Sequence, residues 1–402
     1  MNVLMVTNGK YEPDIRVRRE AEGLVTAGHD VHVVCRGQYD EKCCYSLNDV
    51  AVTRVCANSK VVHHAAERVY AATWYHPIWL RELERILSNK HFDTIYYHDI
   101  EHAKLATMFA NQYDLSIVAD LHEMYPEAVK LWREGLSFRD RLNSKILLTP
   151  PWRYQRLERY AVKRTDALIT ISEELLNYFA ARYNRRNLTS GVVRNVPDLE
   201  RLDSMDVTPL DYDADYVISY IGGFTPQRGI ETLIQALPSI LEEIPDTKLL
   251  LVGDGNDEYV ESLRRLVRRR EVSDAVEFTG WVDFEKVPAY YEASTVTVIP
   301  YHRRKASQYA LPNKLFQAMA FQTPILATDL PTMRRILAET GAGTTTAETP
   351  GAIATELKRL VTQPKILSEM GENGRQAVEK RFNIRAELET VLTIVENSDS
   401  EQ

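Results

Sequence analysis

The chain of 402 residues carries 49 Lys and Arg against 57 Asp and Glu, and the net charge of -8 argues against nucleic acid as a partner. A hydrophobic content of 44% with 26% charged residues is that of an ordinary globular protein, and the length suits two α/β domains better than one. No stretch is apolar for long enough to span a bilayer, and the apolar run at 3–6 is broken at once by Asn8, Gly9 and Lys10, so it reads as a strand and not a signal peptide.

In chain order, residues 2–7 form the first expected strand. A loop and a helix over 15–27 follow, with Asp14 placed to cap the helix and Gly28 to end it. A strand over 31–35 completes a strand–helix–strand unit of the parallel, doubly wound kind. Its first turn lacks GxGxxG, which disfavours an ordinary dinucleotide site. The cysteines, Cys35, Cys43, Cys44 and Cys56, include no CxxC pair and read as free thiols in a reducing cytoplasm. Strands over 51–55, 94–98, 116–120, 167–171 and 192–194 alternate with helices such as 77–87 and 173–181. The aromatic run VYAATWYHPIW, from Val69, suits either core or an acceptor cleft.

The alternation stops at 199–215, a proline-containing acidic stretch that reads as a linker. Its DYDAD, 211–215, reads as solvated charge, and His98 and His102 lack an evident third ligand, so no metal site is expected. A second alternating series has strands over 217–221, 248–252, 276–278, 295–300 and 324–327. Its helices begin near Ile230, Tyr259, Pro288, Pro312 and Met333. The helical stretch over 365–396 is longer than one domain needs and is expected to break near Phe382 and Asn383.

The most informative stretch is VIPYHRRKASQYALPNKLFQAMAFQTPILATDL, 298–330. It reads as strand, basic loop, helix with Pro312 in its first turn, and strand. The loop lies at the carboxyl end of a strand, where open α/β sheets hold ligands, and the helix N-terminus favours an anion such as phosphate.

Seven pieces stand in a telling order: DIRVRREAEGLVTAGHDVHVV, VADLHEMYPE, VVRNVPD, YIGGFTPQRGIETLIQAL, LLLVGDG, VEFTGWVDFEKVPAYYEASTVTVIPY and LPNKLFQAMAFQTPILATD. Together they resemble the retaining nucleotide-sugar glycosyltransferases of family 4. The resemblance implies the GT-B fold of the α/β class, two Rossmann-like doubly wound domains facing each other across a cleft. Residues 1–198 would form the acceptor-side domain, 216–381 the donor-binding domain, and 382–396 a helix returning to the first. The implied reaction moves a hexose-type sugar from a nucleoside-diphosphate sugar to a hydroxyl of a lipid-linked or surface glycan, with retention and without metal or cofactor. A nucleotide-sugar epimerase or hydrolase, or a non-catalytic nucleotide-sugar-binding subunit, are the alternatives on the same fold.

The resemblance also implies roles for residues. Gly222 and Gly223 end a strand, and Arg228, just before Gly229, would grip the donor pyrophosphate in a fork. Where family members carry a second basic residue, this chain has Gly223, and Lys314, Arg303 or Arg304 could supply the charge, Lys314 from a first helical turn. The family's two glutamates, seven residues apart, fall on Tyr309 and Gln317. Gln317 can bond ribose hydroxyls. Tyr309 cannot act as a carboxylate, which leaves sugar recognition to backbone N–H groups of Gln308, Tyr309, Ala310 and Leu311, beside Asn313. His122 would face the donor sugar and complete a catalytic set with Arg228 and Lys314. On the acceptor side stand Asn8, Asp14, Arg16 and His98. Finally, 132–164 concentrates Arg and Lys among aromatic residues, which suits an anionic membrane surface or a lipid-phosphate acceptor and a peripheral place on the cytoplasmic face.

Overall fold

A computed structural model describes residues 1–38, 43–134 and 148–398. The chain divides into two compact units, Met1–Arg194 together with the chain from Glu387 onward, and Asn195–Ala386. The first holds strands β1 (Asn2–Val6), β2 (Asp30–Arg36), β3 (Cys44–Leu47), β4 (Val50–Val55), β5 (Thr94–His98), β6 (Ser116–Leu121), β7 (Ala167–Thr170) and β8 (Thr189–Val192). They form one sheet in the order β3-β4-β2-β1-β5-β6-β7-β8, parallel throughout except for the β3/β4 pair. Every residue of β5 and β6 is buried, as expected of parallel strands covered on both faces. The order reverses between β1 and β5, and that reversal opens a crevice at the carboxyl ends of these strands.

The second unit repeats the plan with β9 (Tyr216–Ile221), β10 (Thr247–Val252), β11 (Val276–Gly280), β12 (Val296–Ile299), β13 (Ile325–Thr328) and β14 (Gly343–Thr346), all parallel in the order β11-β10-β9-β12-β13-β14. Its reversal lies between β9 and β12. Each unit is therefore a doubly wound α/β layer structure of the GT-B kind.

Four details depart from the sequence expectation. Residues 199–215 begin with a helix, Leu199–Asp203, that belongs to the second unit. Val196 and Leu202 are buried in that unit's core, with Leu199 and Met205 packed against it. These residues recur every third position, an apolar period that the surrounding acids hide. Asp203 then pairs with Arg375 at 2.7 Å. Strands β3 and β14 were not anticipated, because β3 is a half-exposed edge and β14 is all glycine and threonine. The final strand of the first unit lies at 189–192, not 192–194. Pro312 is the cap of the helix Asn313–Ala320, one residue before its first turn.

The terminal helix, Ile384–Ser398, follows a break where Phe382 is fully buried and the Asn383 side chain accepts the Ala386 N–H at 3.0 Å. Val391, Ile394 and Val395 of this helix are part of the first unit's core. Gly191 admits the contact: a Cβ there would lie 2.5 Å from Ile394 Cδ1.

Candidate functional site

In the first unit, the carboxyl ends of β1, β5 and β6 bring together most of that unit's residues assigned from sequence. Their centre is one that was missed. Asp120, near the end of β6, is fully buried and serves as acceptor for three side chains. The Arg16 guanidinium takes both its oxygens at 2.8 Å, His98 Nδ1 lies at 3.0 Å and His122 Nε2 at 2.6 Å. Arg16 also donates to the Val193 carbonyl at 2.7 Å and pairs with Glu20 at 3.1 Å, and Glu20 accepts from Tyr96 Oη at 2.5 Å. Burial opposes ionisation of Asp120, yet the Arg16 and His122 charges hold its carboxyl well below the usual range. Burial likewise disfavours a charged His122 ring, but Asp120 and then Asp99 outweigh it and raise its pKa to about 9.

Arg16 and His98 are thus supports beneath His122 and not exposed acceptor contacts: their side chains are 8% and 1% accessible, against 20% for His122. Asn8 is committed on both sides of its amide, to Glu101 at 2.6 Å and to Arg36 at 2.9 Å. Asp14 caps the helix Ile15–Thr26 by accepting the Val17 N–H at 3.1 Å. Asp14→Ala is therefore expected to lower stability by about 1 kcal/mol in a urea titration and to leave turnover unchanged. A turnover loss in excess of that would return Asp14 to the acceptor side. His98, Asp120 and His122 offer three potential metal-ligand atoms within 4.8 Å of one another. The Arg16 fork already neutralises Asp120, so an ion would enter beside a buried guanidinium.

In the second unit, the turn after β9 and the segment after β12 converge. Gly222 has φ 129°, and a Cβ there would lie 2.8 Å from Lys314 Nζ. Gly229 has φ 68°, and a Cβ there would lie 1.9 Å from the Pro300 carbonyl, so the turn carrying Arg228 rests directly on the end of β12. Arg228 stands over the Tyr301 ring at 4.4 Å, and its side chain makes no hydrogen bond or ion pair among the described residues. Lys314 Nζ lies 3.8 Å from the Tyr220 ring centre and 5.6 Å from that of Tyr301, sealed from solvent without a hydrogen-bond partner among the described residues. Burial first, and Arg228 second, hold its pKa well below the usual lysine value. Arg303 is bound to Asp329 and Arg304 also has an interaction of its own, whereas Lys314 beside Arg228 has no hydrogen-bond partner among the described residues. Gly223 is exposed with open space around it.

The loop before the helix Asn313–Ala320 differs from expectation. The N–H groups of Gln308 and Tyr309 are spent on the carbonyls of Arg304 and Ala306, which removes them from sugar recognition. Those of Ala310 and Leu311 have no partner among the described residues. Asn313 is exposed at the start of the helix, and Gln317 Oε1 accepts weakly from Tyr291 at 3.5 Å.

Comparison with known proteins decides the family. The Glycosyl transferase 4-like domain profile matches residues 13–192, and the Glycosyl transferases group 1 profile matches 215–363. The chain belongs to the family 4-like glycosyltransferases. It is 22% identical over 402 residues to a glycogen synthase of Mycobacterium tuberculosis, covering 95% of this chain and 91% of that one. It is 29% identical over 162 residues to a GDP-mannose-dependent alpha-(1-6)-phosphatidylinositol monomannoside mannosyltransferase of Mycolicibacterium smegmatis, covering 40% of this chain and 42% of that one. In fold it matches a sucrose-phosphate synthase of Thermosynechococcus elongatus (TM-score 0.74, 17% identity, 100% of both chains). It also matches Anabaena Alr3699/HepE in complex with UDP (TM-score 0.70, 14% identity, 99% of this chain and 100% of that one).

Two features of this glycosyltransferase escaped the sequence reading, one of them despite a faint signal. Asp120 stands two residues before His122, near the end of a strand that is apolar from Ile117 to Ala119, and that buried acid was its signal. Tyr220 and Tyr301 gave none, because their role arises where two strands end side by side. In the aromatic run from Val69, the rings of Tyr70, Trp74 and Trp79 are buried, while Val69 is 43% exposed. His102 packs on Trp79 at 4.4 Å, and burial pushes its pKa down to about 3.

Of the basic stretch over 132–164, residues 135–147, with Phe138, Arg139, Arg141 and Lys145, lie outside the described part. Arg133 and Arg153 are spent on neighbouring carbonyl groups. The helix Pro151–Arg164 turns Trp152, Arg156, Arg159 and Lys163 outward at helical spacing, with Arg156 4.7 Å from the Trp152 ring. Among the described residues no helix is long and apolar enough to cross a membrane.

Proposed function

We propose that this glycosyltransferase moves a hexose-type sugar from a nucleoside-diphosphate sugar to a hydroxyl of a lipid-linked or surface glycan, with retention of configuration. The observation that carries this reading is the pair of uncommitted cations, Arg228 and Lys314, gathered on Tyr301 at the reversal point of the second sheet. An unpaired buried ammonium is costly, and it is retained where it has an anion to meet. Departure of a nucleoside diphosphate places negative charge at that point, and fixed cations stabilise it without rearrangement. Gln317 holds ribose, and Gly222, Ala310, Leu311 and Asn313 border the diphosphate and sugar. His122 positions the transferred sugar. The acceptor hydroxyl attacks the anomeric carbon on the face that the diphosphate leaves, and its proton passes to the departing phosphate oxygen. The UDP bound to Alr3699/HepE and the GDP-mannose named for the mannosyltransferase relative support a nucleotide-sugar donor. The outward stripe from Trp152 to Lys163 favours an acceptor held at an anionic membrane surface, each basic residue adding about 1 kcal/mol.

Thermal shift with UDP, GDP, ADP and dTDP on wild type and Arg228→Ala tests the donor site. One diphosphate should raise the melting temperature of wild type by several degrees and that of the variant by little or nothing. No shift from any of the four would sink the enzyme reading. Tight binding with no turnover in the presence of glycan acceptors would favour a non-catalytic binding subunit.

A further inference from the structure

We propose that Asp120 is a positioning residue of the transfer reaction: it takes the Nε2–H of His122, leaves Nδ1 as the ligand-facing edge, and holds the ring as an imidazolium that donates to the sugar instead of acting as a base. The sugar-facing role of His122 is taken from the function proposed above.

A carboxylate can only accept, so the 2.6 Å contact with Asp120 places a proton on His122 Nε2. The other nitrogen, Nδ1, lies 3.6 Å from Asp99 Oδ1, too far for a good hydrogen bond and close enough for strong electrostatics. A neutral ring would turn its Nδ1 lone pair towards that carboxylate, which is repulsive. A doubly protonated ring turns an N–H there. Asp99 is fixed by its N–H bond to the Asp120 carbonyl at 2.9 Å, which holds it at φ 62°, a strained conformation for a non-glycine residue. Both His122 and Asp99 remain partly accessible, so a ligand hydroxyl can reach the Nδ1 edge.

The other charged groups do not undo this. Arg16 from the helix Ile15–Thr26 opposes a charged ring, but it is itself balanced by Asp120 and by Glu20 of the same helix. From β5, Tyr96 is bonded to Glu20, and His98 presents Nδ1–H to Asp120 while its Nε2 has no hydrogen-bond partner among the described residues. Glu387 of the terminal helix lies further off, bound to Arg194. Burial weighs against charge on His122, and the two aspartates outweigh it. The consequence is that His122 contributes no general base, in keeping with a displacement in which the leaving phosphate takes the acceptor proton.

The test is an NMR titration of the His122 ring nitrogens in the ligand-free protein, assigned with His122→Gln and repeated in Asp120→Asn. Wild type should titrate near pH 9, and the variant near or below pH 7, a fall of roughly 100-fold or more in proton affinity. A wild-type midpoint near 6.5, or one unmoved by Asp120→Asn, overturns the proposal. Should Asp120→Asn fail to fold, Asp99→Asn, on a partly exposed side chain, is expected to lower the midpoint in the same direction, and an unmoved midpoint there overturns it equally. Turnover of UDP-glucose or GDP-mannose, whichever is used, supplies the second readout. In Asp120→Asn its kcat should fall at pH 8 and recover towards pH 6, where the ring regains its proton, and Asp120→Glu should restore activity at pH 8. A loss independent of pH would mean a merely structural carboxylate. Absence of turnover in wild type would remove the transferase reading and leave the titration to judge the ring.

Discussion

Lys314→Met is expected to make the protein more stable and, at the same time, to cripple its handling of the donor. The ammonium is sealed from solvent beside Tyr220 with no hydrogen-bond partner, and Arg228 adds like charge at the same ring. Methionine keeps the length of the side chain and removes the buried charge, so unfolding stability should rise by about 1–3 kcal/mol in a urea titration at neutral pH. The gain has a definite pH dependence. A lysine whose folded pKa lies below its unfolded value of 10.5 destabilises the fold fully below the folded pKa, and the penalty is relieved as pH rises towards 10.5. The advantage of the methionine variant should shrink over that window. Meanwhile kcat/KM with the nucleotide sugar should fall by roughly 100- to 1000-fold, the usual loss when one fixed group that stabilises leaving-group charge is removed. A variant both less stable and fully active would mean that Lys314 is a structural cation held by its aromatic neighbours.

How much of this was legible in the sequence depends on whether a signal is local. Arg228 before Gly229, the two glycines after a strand, and a helix opening at PNKLF are local patterns, and each lies at the turn or helix start where the sequence put it. The burial of Lys314 was not legible, because it is made by Tyr220 and Tyr301, some 80 residues apart in the chain and side by side only once β9 and β12 pair. The hub at Asp120 left two faint marks. One is an acid on an apolar strand. The other is Glu20, which occupies a core position of the helix Ile15–Thr26 among Val17, Ala21 and Leu24, where an apolar residue belongs. An acid on a buried stripe announces a partner, but nothing in the helix says that Arg16 and Tyr96 supply it. The N–H groups of Gln308 and Tyr309 were misjudged for the opposite reason: the loop's own turns consume them, and turn hydrogen bonds do not show in composition.

Arg16→Met carries the second large effect, with the sign of the first reversed. Arg16 is the only described cation that bonds both Asp120 oxygens, and both side chains are almost wholly buried. Removing it leaves the Asp120 and Glu20 carboxylates facing each other in a low-dielectric interior, a loss on the order of 3–5 kcal/mol at pH 7. Wild type should hold a plateau of stability bounded on both sides. Asp120, whose pKa is depressed, contributes above its unfolded value near 3.8, and its contribution is lost as pH falls through the folded value. His122, whose pKa is raised to about 9, contributes fully below 6.5, and that contribution, about 3 kcal/mol at most, is lost as pH rises through 9. In Arg16→Met the acids are cheaper to bury once protonated, so the deficit against wild type should narrow as pH falls from 7 towards 4. Guanidinium chloride unfolding at several pH values measures this directly. A deficit that is constant with pH would mean that Arg16 serves packing, through its aliphatic stem. Full stability with a raised KM for acceptor would instead place Arg16 against the substrate, and Asp120 would then need another cation to account for its burial.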